Sequence, residues 1–402
     1  MITAARILLV LTLVRPPESS PAQSFTPAGP LKSERLRRGD TNEVRTLSGS
    51  TWGHQVALAE ELRIGSLEEG PTSFSHITCL AIGPDGTVAV FDPSIPILRI
   101  FNATGGYLRD LGRAGSGPGE YRMCLGLAFG TDGILRLSDP RNGRINRYRT
   151  DGTVLPSWPV PNSLYTSRAL RVDDRGHTFV RVTLEVPRPG KSWKFGEARL
   201  DENGTLLDTI PALPIAGDGG SVAFAPRGFW AVARDGSSAF GRNDVYSLIV
   251  TNPGRPPIRL ERAAPRVKLE REERSTYQKV LKTMRSRPGA QAGGLEGEIP
   301  AEKPFYSDLF FDDDNRIWVR LHAKGEPYTP PPRRLPPGMQ GLPTVMWRDL
   351  PVWDVFQSNG TYLGQIRFPS KTTPWVARGD QVWTVQHGAD DEPYVVRYRF
   401  PR

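Results

Sequence analysis

The chain predicts an all-β fold, a six-bladed β-propeller with four-stranded blades, and three observations carry that reading. One pattern is stated twice between residues 82 and 148. Gly86-Thr87-Val88-Ala89-Val90-Phe91-Asp92-Pro93 precedes Ile97-Leu98-Arg99-Ile100-Phe101 and a turn ending Gly105-Gly106; Gly133-Ile134-Leu135-Arg136-Leu137-Ser138-Asp139-Pro140 precedes Arg144-Ile145-Asn146-Arg147-Tyr148 and a turn ending Asp151-Gly152. The turn glycines Gly86 and Gly133 are 47 residues apart, a period that suits a blade of short alternating strands joined by tight turns. Composition agrees: 41 Gly and 38 Pro against an apolar fraction of 38% are what many strands and turns require. Finally, the last unit is one strand short while one strand precedes the first unit, so the two chain ends are expected to pair and close the ring.

In chain order, residues 1–22 read as a secretory signal peptide: Arg6, then the apolar core Ile7 to Val14, then Ser20-Pro21-Ala22 as a small-residue cleavage site. The core is too short to span a bilayer, and no other segment is long and apolar enough. An exported protein, periplasmic or extracellular and without a membrane span, is expected. Residues 23–43, rich in Pro, Ser and charge, read as a disordered leader. The propeller then occupies 44–402. Leu58 to Ile64 supplies the closing strand. The first two units run from His76 to Gly112 and from Met123 to about Pro159. The third begins at Arg168; the fourth has strands at Ser221–Phe224, Phe229–Val232 and Val245–Val250; the fifth holds Asp308–Asp312, Ile317–Val319 and Trp353–Phe356. The sixth offers Trp375–Ala377, Val382–Val385 and Tyr394–Phe400.

Two insertions interrupt this pattern. Over about 268–288 the period becomes helical, with Leu269, Tyr277, Val280, Leu281 and Met284 on one face, acids in the first turns, bases in the last, and Pro288-Gly289 as the stop. Over about 327–351 a Pro-rich loop separates two strands of the fifth unit.

With the units laid out, the chain resembles the bacterial, exported six-bladed propellers of the NHL-repeat type. The residues that carry the resemblance are the Gly-rich linker Leu111-Gly112-Arg113-Ala114-Gly115-Ser116-Gly117-Pro118-Gly119-Glu120-Tyr121 and the run Asp139-Pro140-Arg141-Asn142-Gly143-Arg144-Ile145. It implies fold more firmly than activity, because propellers host lyases, lactonases and pure binding scaffolds alike.

The formal net charge is +9, but the excess is scattered Arg rather than Lys/Arg blocks, so no nucleic-acid partner is expected. Cys79 and Cys124 sit on the first strands of neighbouring units; buried free thiols packed between blades are the expected state, with a bridge as the alternative. The linker 112–119 lacks the Gly-Lys-Ser/Thr end of a phosphate loop and reads as a turn, with Glu120 and Arg144 satisfying backbone or each other and a ligand contact as the minor alternative. Asp312, Asp313 and Asp314 lack the spaced ligands of a calcium loop and read as turn chemistry. Trp318, Trp353 and Trp383 read as packing between blades.

Trp193, Tyr328 and Trp347 lie in or beside loops among bases that include Arg333 and Arg334; these five residues form the candidate ligand-binding set. His322 and His387 follow the turns of the fifth and sixth units by the same spacing and are the candidate metal ligands, imidazole suiting zinc or copper. No nucleophile and base combine into a catalytic set. The expected function is therefore an exported monomeric scaffold, without a cofactor, binding a protein, peptide or glycan through loops on one face. The alternative is a propeller lyase or lactonase using a divalent metal at the central channel.

Overall fold

The computed structural model describes residues 29–160, 170–185, 194–211, 222–287, 295, 297–330, 341 and 343–400. Six four-stranded antiparallel units form the ring, each running from an innermost to an outermost strand. Blade 1 comprises Cys79–Ile82, Val88–Asp92, Ile97–Phe101 and Tyr107–Leu111. Blade 2 comprises Gly126–Phe129, Leu135–Asp139, Arg144–Tyr148 and Val154–Pro159. Blade 3 comprises Leu170–Val172, Thr178–Glu185, Lys194–Leu200 and Leu206–Pro211. Blade 4 comprises Gly228–Val232, Ser238–Arg242, Ser247–Thr251 and Ile258–Arg262. Blade 5 comprises Tyr306–Phe311, Ile317–Leu321, Val352–Phe356 and Tyr362–Arg367. Blade 6 comprises Thr372–Arg378, Gln381–His387, Pro393–Arg399 and, as its outermost strand, Ala59–Ile64.

That last pairing closes the ring as expected. Ala59 lies opposite Arg399 and Ile64 opposite Val395, antiparallel. Glu61 accepts from Arg399 and forms an ion pair with Arg397 at 3.2 Å, so charge reinforces the register between chain ends. The cores lie in the seams between blades. Trp318 and Trp353, both essentially inaccessible, pack with Phe310, Val396 and Phe400 between blades 5 and 6, and Trp383 packs with Ile64, Leu80 and Ile82 between blades 6 and 1.

Three expectations are corrected. The disordered leader does not hold for its second half: Lys32–Arg38 and Thr41–Ser48 form a hairpin, and the latter strand runs parallel to Ile258–Arg262, extending blade 4 to six strands. Its polar composition misleads because backbone pairing with a blade edge holds it, and only Val44 and Thr46 of the hairpin are buried. In blade 4, Ser221–Phe224 is not a strand where described; the inner strand starts at Gly228, and Ser238–Arg242 and Ile258–Arg262, too polar to stand out, complete the unit. Cys79 and Cys124 are not free thiols but a disulfide that staples blade 1 to blade 2. Closing a loop over a sequence separation of 45 stabilises by about 4 kcal/mol in the chain-entropy account. Reduction, or Cys124→Ser, is therefore expected to lower the denaturation midpoint by a corresponding amount with the strand content kept; an unchanged midpoint would contradict this.

Between the hairpin and the closing strand the chain travels round the outside of the ring. The Trp52 amide donates to Leu363 O at 2.9 Å and Val56 bridges Ile366 in parallel, both on the outermost strand of blade 5. Trp52 is buried against Phe400, ring centroids 6.0 Å apart. Gly364, at φ +153°, makes room for it: a Cβ there would lie 2.4 Å from the indole. Residues 30–64 thus form a belt that pairs in succession with the outer edges of blades 4, 5 and 6.

Candidate functional site

The alternation of strands gives the ring two unlike faces. On one, the turn face, short connections join first to second and third to fourth strands, and their Asp and Asn side chains accept from backbone amides two residues on, as Asp85 does from Thr87 and Asp201 from Asn203. Asp312 behaves likewise, accepting from the amides of Asp314 and Arg316 as the turn reading expects. The other, the insertion face, carries the links between blades, the second-to-third connections, and both insertions.

The helix Arg271–Arg285 follows blade 4. Leu269 and Leu281 are buried in a cluster with Val222, Leu295 and Ile299, with Tyr277 and Met284 packed at its margin. Val280 is half-buried and lies outside that cluster. Glu272 and Glu273 occupy the first turn and Lys282 and Arg285 the last, complementing the helix dipole. Arg274 and Arg285 also donate to the carbonyls of Ile299 and Leu295, which tie the returning chain to the helix.

Beneath the helix lies a buried charge network. Lys303, fully inaccessible, has its ammonium 2.6 Å from Glu273 of the helix, 2.5 Å from Asp349 and 3.0 Å from the Ala323 carbonyl. His322 Nδ1 lies 2.6 Å from the second Asp349 oxygen. Burial raises the Glu273 carboxyl above its ordinary range in spite of Lys303. At Asp349 burial acts in the same direction but is outweighed by the His322 hydrogen bond and the Lys303 charge, so that carboxyl is lowered. Phe224 covers the assembly, its ring 4.8 Å from Tyr277, 5.3 Å from His322 and 5.3 Å from the Lys303 ammonium. It does so at φ +61°, a left-handed backbone rare for an aromatic residue.

Asp349 belongs to the second insertion and Ala323 to the short stretch leading into it. Gly325–Pro327 pairs antiparallel with Trp347–Asp349, and the Tyr328 amide donates to Met346 O, so this loop begins as a hairpin. Gly325 sits where a Cβ would lie 2.6 Å from Glu273, and Lys324 pairs with Glu270 at 3.3 Å; helix and hairpin are in direct contact. Arg348 lies over the Tyr328 ring at 4.6 Å and also pairs with Glu326 at 2.7 Å.

Of the candidate ligand-binding residues, Tyr328 and Trp347 are therefore brought together at this hairpin, both half-buried; Trp193, Arg333 and Arg334 lie outside the described residues. His322 and His387 both end second strands, as their spacing predicts, yet neither lines the channel: His322 is engaged with Asp349, and His387 lies near Asp391 and Lys371, its imidazole lowered by burial. Among the described residues no group of three or more His, Cys, Asp or Glu side chains converges as a metal site. Glu120 and Arg144 satisfy backbone in the Gly-rich linker: Glu120 accepts from the Gly117 amide and Arg144 donates to Gly117 and Glu120 carbonyls. Glu273 and Lys303 escape the sequence reading. The signal for Glu273 is its place four residues before Tyr277 and eight before Leu281, an acid inside the apolar stripe.

Exposed apolar side chains occur at both faces. Leu67, Ile95, Val245 and Met346 are exposed in connections on the insertion face, and Leu184 and Phe195 near the strand ends at that face. Tyr107, Val154 and Leu206 open outer strands at the turn face, with Leu108 and Leu207 beside them, and Leu36 and Leu47 lie on the N-terminal hairpin. The channel between the inner strands holds a cavity of about 390 Å³ whose wall includes Arg171, Arg181, Glu197, Arg234, Asp313 and Arg378.

No family model and no curated protein matches the chain. Among solved structures it is similar to a member of the DUF4221 family from Bacteroides vulgatus, at 14% identity over 86% of this chain and 98% of that one, TM-score 0.49. It is also similar to virginiamycin B lyase from Staphylococcus aureus, at 10% identity over 86% and 99% of the two chains, TM-score 0.40, and to a gluconolactonase from Xanthomonas campestris, at 12% identity over 95% and 99%, TM-score 0.39. At these identities the likeness is one of fold and brings no activity with it.

Proposed function

We propose that this chain is an exported propeller of the NHL-repeat type that recognises a protein, peptide or glycan through its insertion face. The observation that carries the reading is the placement of both insertions on one face, joined there through Lys303, with Leu67, Ile95, Val245 and Met346 exposed in the connections of that face. Exposed apolar groups rimmed by polar ones mark interaction surfaces. The shared Lys303 supports it further, since one buried ammonium held by helix and hairpin fixes the two insertions as a single platform, and a pre-ordered platform loses less entropy on binding. The exposed helix side and the Tyr328, Trp347 and Arg348 group would make the contacts. The disulfide fits an oxidising compartment, in agreement with residues 1–22, which lie outside the described part.

The test is deletion of residues 268–288, joined by a short Gly/Ser linker, followed by pull-down from the producer's envelope extract. The expected result is a folded propeller that no longer recovers the partners of the intact protein. Recovery of the same partners at the same yield would overturn the reading.

A further inference from the structure

The central channel has a wall that the insertion-face reading does not use. From blade 3, Arg171 and Arg181 share a single carboxylate, Glu197, at 2.5 and 3.7 Å. Both lean on blade 4, Arg171 donating to Ala233 O at 3.1 Å and Arg181 to Trp230 O at 3.4 Å. The next residue along, Arg234, shares Asp313 with Arg378 of blade 6, at 3.3 and 2.6 Å. Two guanidinium-carboxylate-guanidinium groups thus adjoin along one arc of the cavity.

Each guanidinium has five N–H donors in a planar fork, so one carboxylate cannot satisfy two of them. The distances say the same. Charge-assisted N–H to carboxylate bonds run to about 2.7–2.9 Å, whereas Arg181 and Arg234 stand 3.7 and 3.3 Å from their shared acids. Asp308 and Asp312 also line the wall, so its four guanidinium groups are matched in number by four carboxylates, and recognition there would rest on the guanidinium forks rather than on net charge. Asp312 is held by Arg316 and by the Trp318 indole at 2.6 and 2.7 Å, Asp174 reaches Arg234 only at 3.5 Å, and Asp308 accepts from the Leu309 amide.

We propose that the channel binds a small organic anion bearing at least two oxyanionic groups, one received by each guanidinium pair. Carboxylate and phosphoryl oxygens both match the guanidinium fork, and the cavity volume of about 390 Å³ accommodates a metabolite-sized molecule. The proposal is independent of the insertion face and requires no catalysis.

The test is calorimetric titration of the purified protein, at low ionic strength, with citrate and separately with inorganic pyrophosphate. One saturable site per chain is expected, weakened at least tenfold by Arg181→Gln and by Arg234→Gln, and unchanged by Arg37→Gln on the exposed N-terminal hairpin. Preference between the probes assigns the carboxylate or the phosphoryl class. Arg181→Lys, which keeps the charge and loses the fork, should bind more weakly than wild type with an unaltered circular dichroism spectrum, separating recognition from folding. Absence of saturable binding of both probes, or equal binding by the Gln variants, overturns the proposal.

Discussion

Removing residues 1–64, so that the chain starts at Gly65, is expected to abolish the cooperative fold at ordinary temperatures. The closing strand, Trp52 and Val56 leave together, and Trp52, Val56 and Ile64 are all buried in the intact protein. At about 1.5–3 kcal/mol for each fully buried apolar side chain, the loss is roughly 5–9 kcal/mol before the broken ladder of blade 6 is counted. A domain is stable by about 5–15 kcal/mol in total. The truncation also bares the edge at Pro393–Arg399, so the product should aggregate as well as unfold. A truncated protein with the wild-type denaturation midpoint and a monomeric elution volume would contradict the belt's role.

The second large effect is expected from Lys303→Met. The side chain is replaced at similar volume, so packing is conserved while the Glu273 and Asp349 carboxylates lose their shared counter-charge in a buried site. Removing one partner of a buried ion pair costs about 3–5 kcal/mol. Because the lysine joins the helix to the hairpin rather than strand to strand, the loss should be local: backbone amides of Arg271–Arg285 exchange faster with deuterium while those of blades 1 and 2 keep their protection. Adding Glu273→Gln removes one stranded charge and should recover part of the loss. Equal protection of the helix in Lys303→Met and wild type would show that the network does not hold the platform.

How far the sequence could be read depended on where the hydrophobic pattern and the turn chemistry coincide. In blades 1 and 2 they do: Val88–Asp92 and Leu135–Asp139 are wholly buried strands bounded by Gly turns, so their place and register could be written down directly. Ring closure was legible for the same reason, a spare strand at one end meeting a deficit at the other. Blade 4 was obscured because Ser238–Arg242, with Ala239 as its one fully buried residue, carries no apolar run and gains its stability from neighbours on both sides. The N-terminal hairpin was obscured more thoroughly: Lys32–Arg38 is exposed at every position and held by backbone pairing, which leaves no mark on composition. The site divides similarly. The helix and its stripe were evident, and Tyr328 and Trp347 were singled out from the company they keep. Lys303, a lone base far from Asp349 in sequence, acquires its meaning only when three chain segments meet. His322 and His387 lie at the ends of the second strands of blades 5 and 6, as their shared spacing indicated, and the neighbours each has there, Asp349 for His322 and Asp391 and Lys371 for His387, could not be read from that spacing.

The most direct measurement of the central claim is diazirine photo-crosslinking in the intact envelope of the producing cell, with the probe residue placed at Met346 on the insertion face or at Asp151 on the turn face. Both positions are exposed, so reactivity alone does not separate them. A binding scaffold of the kind described gives a discrete adduct from position 346, none from position 151, and loss of that adduct when Lys303→Met is combined with the probe. Adducts from position 151 alone, or an adduct at 346 indifferent to Lys303, would contradict it.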